Sequence, residues 1–565
     1  HSTTELKQFL EDKSQDFIEF KVSLLMKEAK NDPVKKAGLI RDIVTSISKI
    51  PDGIQREVYV QECARIMDIS EQVLFNGLDY NNSLEALNKR YLGIQVNKST
   101  RLNFLYIKER DYANEEIKYG AEDIVYPLLI RKAQEKETIK KDLGKCISLE
   151  FKYIPVLGDI EYNGMNFNAD KWVKNYENNL IKFREQEQIL NNFVVDNLHV
   201  PFLKSQLDIF DTELYCNIKW TSSKQVIEYF KYLKICPKEK SKSTKLLSYT
   251  VEAKVLKASL NTMNKDAPEL LKGLIKLYLR FKELEQSITT FGISFLKYVN
   301  PVTQRLHSNY RQIINTGRMS SSGPNLQNIP AASEFRSCFD APEGFNIVNA
   351  DFTGQEQIVL VNKCLDKDLI SFYEQDLGDM HSFVASKIYP ELKDVSLGDI
   401  KIYHKDKRQI AKSAGFAINY GGTGFTIANN LGLPAKEGDA VYDAYFKAFP
   451  GLRNFFDEQI KLSMSQGYIH IDEFTNRKFF FKNFHKLEEY KRKGDTKNYT
   501  YWKGKFERAC LNYIIQGAAG SITKFAGILF RNWLLENNLT KTVKLTNIIH
   551  DELNVEAPLP LWFTR

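Results

Sequence analysis

A chain of 565 residues with 43% hydrophobic and 12% aromatic content is too long for one ordinary core and too apolar to be disordered throughout, so roughly two to four domains are expected. Its 79 basic and 71 acidic residues leave a net charge of +8, too mild to require a polyanionic partner; the local clusters Lys234 to Lys245 and Lys478 to Lys505 say more. Seven scattered cysteines without a Cys-x-x-Cys pair exclude a zinc ribbon and a disulfide scaffold and fit a reducing compartment, and the lack of an apolar run of ~18 residues excludes a transmembrane helix.

Residues 1 to about 80 read as helices. Asp32-Pro33 starts one, because Asp caps and Pro suits the first turn. Leu39, Ile40, Ile43, Val44 and Ile47 then form a one-sided apolar stripe that stops at Ile50-Pro51. Asp52-Gly53 turns the chain, a second helix runs through Val58 to Met67, and Ser70-Glu71 starts a third. Such an amphipathic bundle suits docking better than catalysis. The first residues, His1-Ser2-Thr3-Thr4, read as a cut or tag boundary without a signal-peptide core. Asn81-Asn82-Ser83 marks a junction, residues 101–140 read helical again around Tyr119 to Asp123, and 141–300 are mainly helical, as in Leu274 to Phe291. Within that stretch, Lys234 to Ser243 reads as an exposed basic loop and Asp211-Thr212-Glu213 as a surface turn. Beyond about residue 300, strands and helices mix.

The chemistry lies in this last part. Asp351 follows the strand-like run Phe345 to Ala350, and Asp551-Glu552 follow Val543 to His550, 200 residues further on. An Asp rigidly placed at the end of a buried strand suits a hard divalent ion, and two such ions can activate a 3′-hydroxyl and neutralise a pyrophosphate. Between them, Arg408, Lys412, Phe416 and Tyr420 recur every four residues and share one helical face, with cations for phosphates and rings for a base or sugar. Each feature also has a plain reading: an Asp after a strand can cap a turn, and the helix can carry solvated cations and core aromatics. Together they describe a nucleotidyl transferase.

The segment Arg408 to Gly421 resembles the finger helix of family A DNA polymerases, the group of bacterial DNA polymerase I. Asn349-Ala350-Asp351-Phe352 through Glu356 resembles the first palm motif and Ile549-His550-Asp551-Glu552 the last. Thr316-Gly317-Arg318 through Asn325, Gln327, Asn328 and Pro330 is similar to the template–primer segment, and Arg508 to Gly517 and Asp379-Met380-His381 complete the set in the family's order. The resemblance implies an α/β class with an α+β palm and large helical parts: a right hand of palm, fingers and thumb, preceded by a helical domain and an exonuclease-like remnant. The expected divisions are 1–80 docking domain, 81–140 remnant, 141–300 helical linker and thumb, and 301–565 palm and fingers. The family continues with a further palm strand and helix, so the C-terminal end at Arg565 is expected to be cut short.

Roles follow from the resemblance position by position. Asp351, Asp551 and the Phe352 carbonyl hold two magnesium ions, with manganese able to substitute, and Glu552 supports the site. Arg408, Lys412 and His381 bind the dNTP triphosphate, Lys412 protonates the leaving pyrophosphate, and Gln355, Phe416 and Tyr420 complete the dNTP pocket. Glu356 beside Tyr420 excludes a ribose 2′-hydroxyl. Arg318, Arg508, Asn512 and Gln516 meet the DNA near the primer end, His550 lies at the primer terminus, and Asn325, Gln327 and Asn328 position the duplex. In this family Tyr at position 416 admits dideoxynucleotides, so Phe416 implies discrimination against them.

Upstream, Tyr119-x-x-x-Asp123 is similar to the last motif of the family's proofreading exonuclease, but no Asp-x-Glu precedes it, which implies an inactive remnant. Residues 16–78 resemble the C-terminal portion of bacterial primases, which implies docking to a replicative helicase and no priming. Lys491 to Lys505, rich in Lys and Tyr, reads as a solvated loop that could also grip DNA. The expected activity is primer extension with dNTPs on primer–template DNA, in the cytoplasm of a bacterial or infected host cell, away from any membrane; a compact chimera of this kind suits a bacteriophage. The rivals are a single-subunit RNA polymerase, opposed by Glu356, and a non-catalytic scaffold joining primase and helicase partners.

Overall fold

The computed structural model describes residues 83–96, 100, 104, 111–207, 212–240, 247–262, 268–482 and 484–559. The helices expected between residues 1 and 80 lie outside the described residues. The chain forms two compact units, one of residues 1–141 with 242–244 and the other of 142–241 with 245–565.

In the first unit, helix α1 (Leu84–Leu92) begins where the Ser83 hydroxyl accepts the Ala86 amide at 3.3 Å and ends at Gly93, whose φ of 70° reverses the chain. It packs against α2 (Asn114–Lys140). Tyr119 and Asp123 both lie on α2, Tyr119 with its ring 5.9 Å from that of Phe104 and Asp123 exposed. Ile130 of α2 is buried, whereas Ile117, Ile124, Leu128 and Ile139 are exposed.

The second unit opens with α3 (Gly144–Asn163) and α4 (Ala169–Asp196), followed by the hairpin β1 (Leu203–Leu207) and β2 (Thr212–Cys216). Glu213, expected in a surface turn, instead pairs with Gln206 in that hairpin, where Leu214, Tyr215 and Cys216 are good strand formers. Next come α5 (Ser223–Tyr232), strands β3 (Lys238–Lys240) and β4 (Leu247–Tyr249), α6 (Ala253–Thr262) and α7 (Glu269–Thr289). Part of the expected basic loop is therefore also a strand: Lys238 pairs with Tyr249, and the ammonium groups of Lys231 and Lys238 sit 4.3 and 4.7 Å over the Tyr249 ring. Leu274, Ile275, Tyr278 and Phe281 of α7 pack with Leu190, Val194, Trp220 and Phe230 into the core of this helical region.

Further along the chain, β5 (Phe345–Asp351) feeds α8 (Gln355–Cys364). Helices α9 (Met380–Ile388), α10 (Lys405–Asn419), α11 (Gly424–Leu431), α12 (Ala435–Ala448) and α13 (Pro450–Gln466) then enclose a core that includes Leu360, Phe383, Ala411, Ala414, Ile418, Tyr445 and Phe449. A hairpin, β6 (Tyr468–Asp472) with β7 (Arg477–Phe480), leads to α14 (Phe484–Arg492) and the 41-residue α15 (Thr496–Glu536). Lys491 to Lys505 is thus largely helical, not a loop: the Asp495 side chain caps α15 at the Asn498 amide, 3.1 Å away, and Leu487, Phe506 and Cys510 anchor both helices on Ile469 and Phe481.

Strands β8 (Lys544–Ile549) and β9 (Glu552–Pro558) close the fold as an antiparallel sheet in the order β8-β9-β5. Tyr153, Val156 and Ile160 of α3 and Ile528 of α15 form one core with Leu545, Ile548 and Val555 of this sheet. The inner strand β9 is buried, but β5 is an edge of this sheet and Asp351 at its end is exposed, not held at the end of a buried strand as expected. No helix among the described residues is long and apolar enough to cross a membrane. The result is a helix-rich palm, fingers and thumb around a small sheet.

Candidate active site

The sheet brings the distant acids together. In the register of β9 on β5, Glu552 stands opposite Asp351, and His550-Asp551 form the two-residue turn joining β8 to β9, with Ile549 opposite Glu552 and a φ of 57° at His550. Directly opposed residues in an antiparallel pair lie about 4.5–5.5 Å apart at Cα, so three carboxylates share one end of the sheet. Glu552 accepts a hydrogen bond from Asn554, whose amide also donates to Asn349 at 2.9 Å. The Gln327 amide donates to the Ile548 carbonyl at 3.1 Å, just ahead of the His550-Asp551 turn. Asn325 in turn accepts the Gln327 backbone amide at 3.1 Å. Asn328 ends the same short 3-10 turn.

Facing these acids is α10, with Ala411, Ala414, Ala417 and Ile418 buried in the helical core and Arg408, Lys412 and Phe416 on the other side. Arg318, Glu356, His381, Lys412, Phe416, Tyr420, His550 and Asp551 all border one cavity of about 580 Å³. Tyr420 ends α10 and donates its hydroxyl to Glu356 at 2.6 Å, while Arg318 forms an ion pair with the other oxygen of the same carboxylate. Burial lowers the pKa of the Arg318 guanidinium, opposed by the charges of Tyr420 and Asp551.

Nearer the start of α10, Arg408 forks onto Asp379 through two hydrogen bonds of 2.7 and 2.8 Å. This pairing holds the Asp379 carboxyl well below the usual carboxylate range, with the Ser382 hydroxyl and amide assisting. Beside it, the His381 ring lies 6.0 Å from Phe416. Burial pushes the imidazole pKa down; Asp379 opposes this, and Lys412 and Arg408 lower it further. Gln355 also borders the cavity, but its amide is buried and donates to Thr523 of α15 at 3.0 Å. Arg508, Asn512 and Gln516 follow one another along α15, and the buried Asn512 Oδ1 has no hydrogen-bond partner in the protein.

Sequence reasoning gave no role to two sets of residues here. One is Asp379, quoted only as part of a motif. The other lies behind Arg318: Lys524, fully buried, donates to both Glu150 oxygens at 2.8 and 3.0 Å, and Arg477 pairs with the same carboxylate. Arg477 also donates to Ser521, which donates to Asp472 at 3.0 Å. A signal existed, since Lys524 is a lone charge in the run Gly517 to Leu529.

Divalent cations fit the carboxylates as a donor set. Their oxygens are hard ligands, and neither Asp351 nor Asp551 has an ion pair with Lys, Arg or His among the described residues. No group of three or more His, Cys, Asp or Glu among the described residues converges to hold a metal alone, which matches ions that take one or two carboxylates together with substrate phosphates.

Palm, fingers and thumb around two motif-bearing strands and a cationic helix define a right-hand polymerase. Residues 203–560 match the model of DNA polymerase family A, and the chain belongs to that family. Members of the family use divalent metal ions. Residues 18–72, outside the described residues, match the DnaB-helicase binding domain of primase. The chain is 26% identical over 492 residues to the DNA polymerase I of Caldicellulosiruptor bescii, which covers 84% of this chain and 51% of that one. It is 30% identical over 290 residues to the DNA polymerase I of Pseudomonas aeruginosa, covering 50% and 29%. The chain thus spans about half or less of the length of these curated relatives. Among solved structures, the POL domain of Pol1 from M. smegmatis, in complex with DNA primer-template and dNTP, has the same fold, with a TM-score of 0.66 and 21% identity over 85% of this chain and 73% of that one.

Proposed function

We infer that the chain is a template-directed DNA polymerase, extending a primer 3′-hydroxyl with dNTPs and releasing pyrophosphate. The observation that carries this reading is the β5–β9 register, which sets Asp351 opposite Glu552 and beside Asp551 while Asp551 and Lys412 border one cavity. Two divalent ions, magnesium in this reading and manganese as a substitute, would be held by Asp351, Asp551 and the Phe352 carbonyl, and would supply charge neutralisation at the primer oxygen and the triphosphate.

The protein's own groups perform the rest. Lys412 and Arg408 receive the triphosphate, and Arg408 exchanges part of its fork on Asp379 for phosphate oxygens. His381, which borders the same cavity, donates a hydrogen bond there. Lys412 returns a proton to the departing pyrophosphate. Phe416 and Tyr420 border the base and sugar, with Gln355 fixing α8 on α15. Glu356, pinned by Tyr420 and Arg318, blocks a 2′-hydroxyl. Arg508, Asn512 and Gln516 donate to the minor groove, where acceptors are shared by all correct pairs. Asn325, Gln327 and Asn328 hold the turn that carries His550 to the primer end. Residues 141–300 are the helical linker and thumb, and 301–565 the palm and fingers. Residues 18–72 dock a replicative helicase, and 81–140 are an exonuclease remnant without activity, a reading that shortening of a mismatched primer without dNTPs would overturn.

The deciding experiment is primer extension by the purified chain with magnesium and four dNTPs. Asp551→Asn is expected to abolish extension while DNA binding persists. Undiminished extension by that variant would sink the assignment, and equal use of rNTPs would favour an RNA polymerase.

A further inference from the structure

We propose that the outward half of α15 is a track for the single-stranded template ahead of the cleft, formed by Lys497, Tyr501 and Lys505. This rests on the polymerase reading and extends it to a surface that reading leaves unused. At 100° per residue, positions 497, 501, 505, 508, 512 and 516 fall within a sector of about 100°, and no acidic residue of the helix shares it. With a rise of about 1.5 Å per residue the stripe is roughly 28 Å long. Its inner members, Arg508, Asn512 and Gln516, are the residues read as DNA contacts; its outer three are exposed.

The inner half of the stripe is located by close packing. A Cβ placed on Gly520 would lie 3.5 Å from the Arg318 Cα, and one on Gly421, directly after Tyr420, would lie 3.3 Å from the Arg508 Cα. The stripe therefore leaves the cleft past the end of α10 and leads away from Arg318. On the way, the Arg508 guanidinium lies along the helix over Gly504, where a Cβ would come within 3.2 Å of it.

The chemistry selects the occupant. Residues 484–508 hold eight basic residues against four acidic ones, a +4 excess within a chain of net +8. Glu507 is taken up by Lys503 on another side of the helix, 3.6 Å away. Lys505 sits 4.5 Å over the Trp502 ring, and the Tyr501 ring meets Trp502 edge-on at 5.8 Å. Cation, ring and cation one turn apart suit a strand whose phosphates pair with lysine while its bases stack on tyrosine. A duplex hides its base faces and gains nothing from Tyr501.

The test measures binding of primer–templates whose 5′ template overhangs are about 2 or about 12 nucleotides long, the longer lying within the span of a single-strand site. The unaltered chain is expected to bind the longer overhang at least about fivefold more tightly. K497Q/Y501A/K505Q is expected to lose that preference, keep its affinity for the short overhang, and show a salt slope on the long one smaller by about 1.4, two contacts at about 0.7 each. Equal affinities of the unaltered chain for both overhangs would overturn the proposal, and this measurement needs no variant to fold. Equal loss on both overhangs in the variant, or tighter binding after a complementary strand is annealed to the overhang, would overturn it too. Primer extension on the short overhang separates the two readings: no extension strikes at the polymerase, whereas extension without overhang preference strikes only at the track.

Discussion

Phe416 stands half exposed on the cleft side of α10, 6.0 Å from the His381 ring, with no hydrogen-bonding group of its own to offer a sugar. In the proposed dNTP pocket, a phenol at this point would offer its hydroxyl to the triphosphate beside the sugar's 3′ side. A hydrogen bond to a charged group contributes roughly 1.5–3 kcal/mol, so Phe416→Tyr is expected to raise dideoxynucleotide incorporation by about ten- to a hundredfold in termination ratios. Unchanged ratios would remove Phe416 from the nucleotide. Glu356 is under a different constraint, because it holds both Tyr420 and Arg318. Glu356→Ala should therefore raise rNTP use relative to dNTP use and also weaken extension, since both partners lose their fixed orientation; retained discrimination would show that sugar selection lies elsewhere. That these residues border one cavity was legible, because their spacing on one helix face and their place after a strand are both local patterns. The partnership of Lys524 with Glu150, 374 positions away, was not, since no local pattern encodes it. It nevertheless has consequences for stability. Burial alone would raise the Glu150 pKa, but Lys524 and Arg477 outweigh burial and hold it below the usual value. The stability this carboxylate contributes is thus present above its unfolded pKa and lost as pH falls through the lower folded one. Lys524 is pushed down to about 8 from 10.5, chiefly by burial, so between those values the unfolded chain holds a proton the folded chain has released, and stability rises with pH there. Urea midpoints followed from acid to alkaline pH should show both limbs, and Glu150→Gln should flatten the acid one while costing about 3–5 kcal/mol by leaving buried cations unpaired.

At the scale of elements, the finger helices depend on backbones that nearly touch. A Cβ on Gly438 of α12 would collide with the Gly424 carbonyl oxygen and come within 2.6 Å of the Ala428 Cβ on α11. Gly438→Ala must push these helices apart, an overpacking cost of about 1–3 kcal/mol, and should lower the melting temperature by several degrees. The same change should weaken dNTP affinity, because α11 follows the turn after Tyr420; an unaltered melting curve would mean the helices separate freely. The helix α10 itself was readable from its fourfold pattern, since one face is dictated by chemistry and the other by the alanines it buries. Two elements were not. Lys491 to Lys505 looks solvated because its own anchors, Tyr499 and Trp502, are amphipathic rings set among lysines and only partly buried against Phe506 and Cys510, while the cap at Asp495 becomes visible only once the helix is formed. Strand β5 reads as buried from its run Phe345 to Ala350, yet Asp351 at its end is exposed, whereas β8, the other edge of the same sheet, is buried beneath α3. Which strand a helix covers is a property of the packing, which the residues of one strand do not carry.

At the scale of the whole chain, the two matched regions, 18–72 and 203–560, share no residue and match different families. The residues bordering the cleft all belong to the unit beginning at Asp142. What a helicase-docking segment adds is local concentration. Tethering a polymerase to a helicase makes capture of the exposed template effectively intramolecular, at millimolar effective concentration for a short flexible connection. A replicative helicase of the kind bound by bacterial primases should therefore co-elute with the full chain on gel filtration, and an isolated primase helicase-binding domain should displace it by occupying the same surface. In a coupled assay on forked DNA, the helicase should lengthen the products made per binding event, and the displacing domain should remove that gain while leaving extension on an unpaired template unchanged. If the chain and helicase elute separately at about 10 μM, a concentration at which even a micromolar complex is mostly formed, residues 18–72 do not serve as a dock. If they co-elute but the primase domain fails to compete, the helicase is held by another surface.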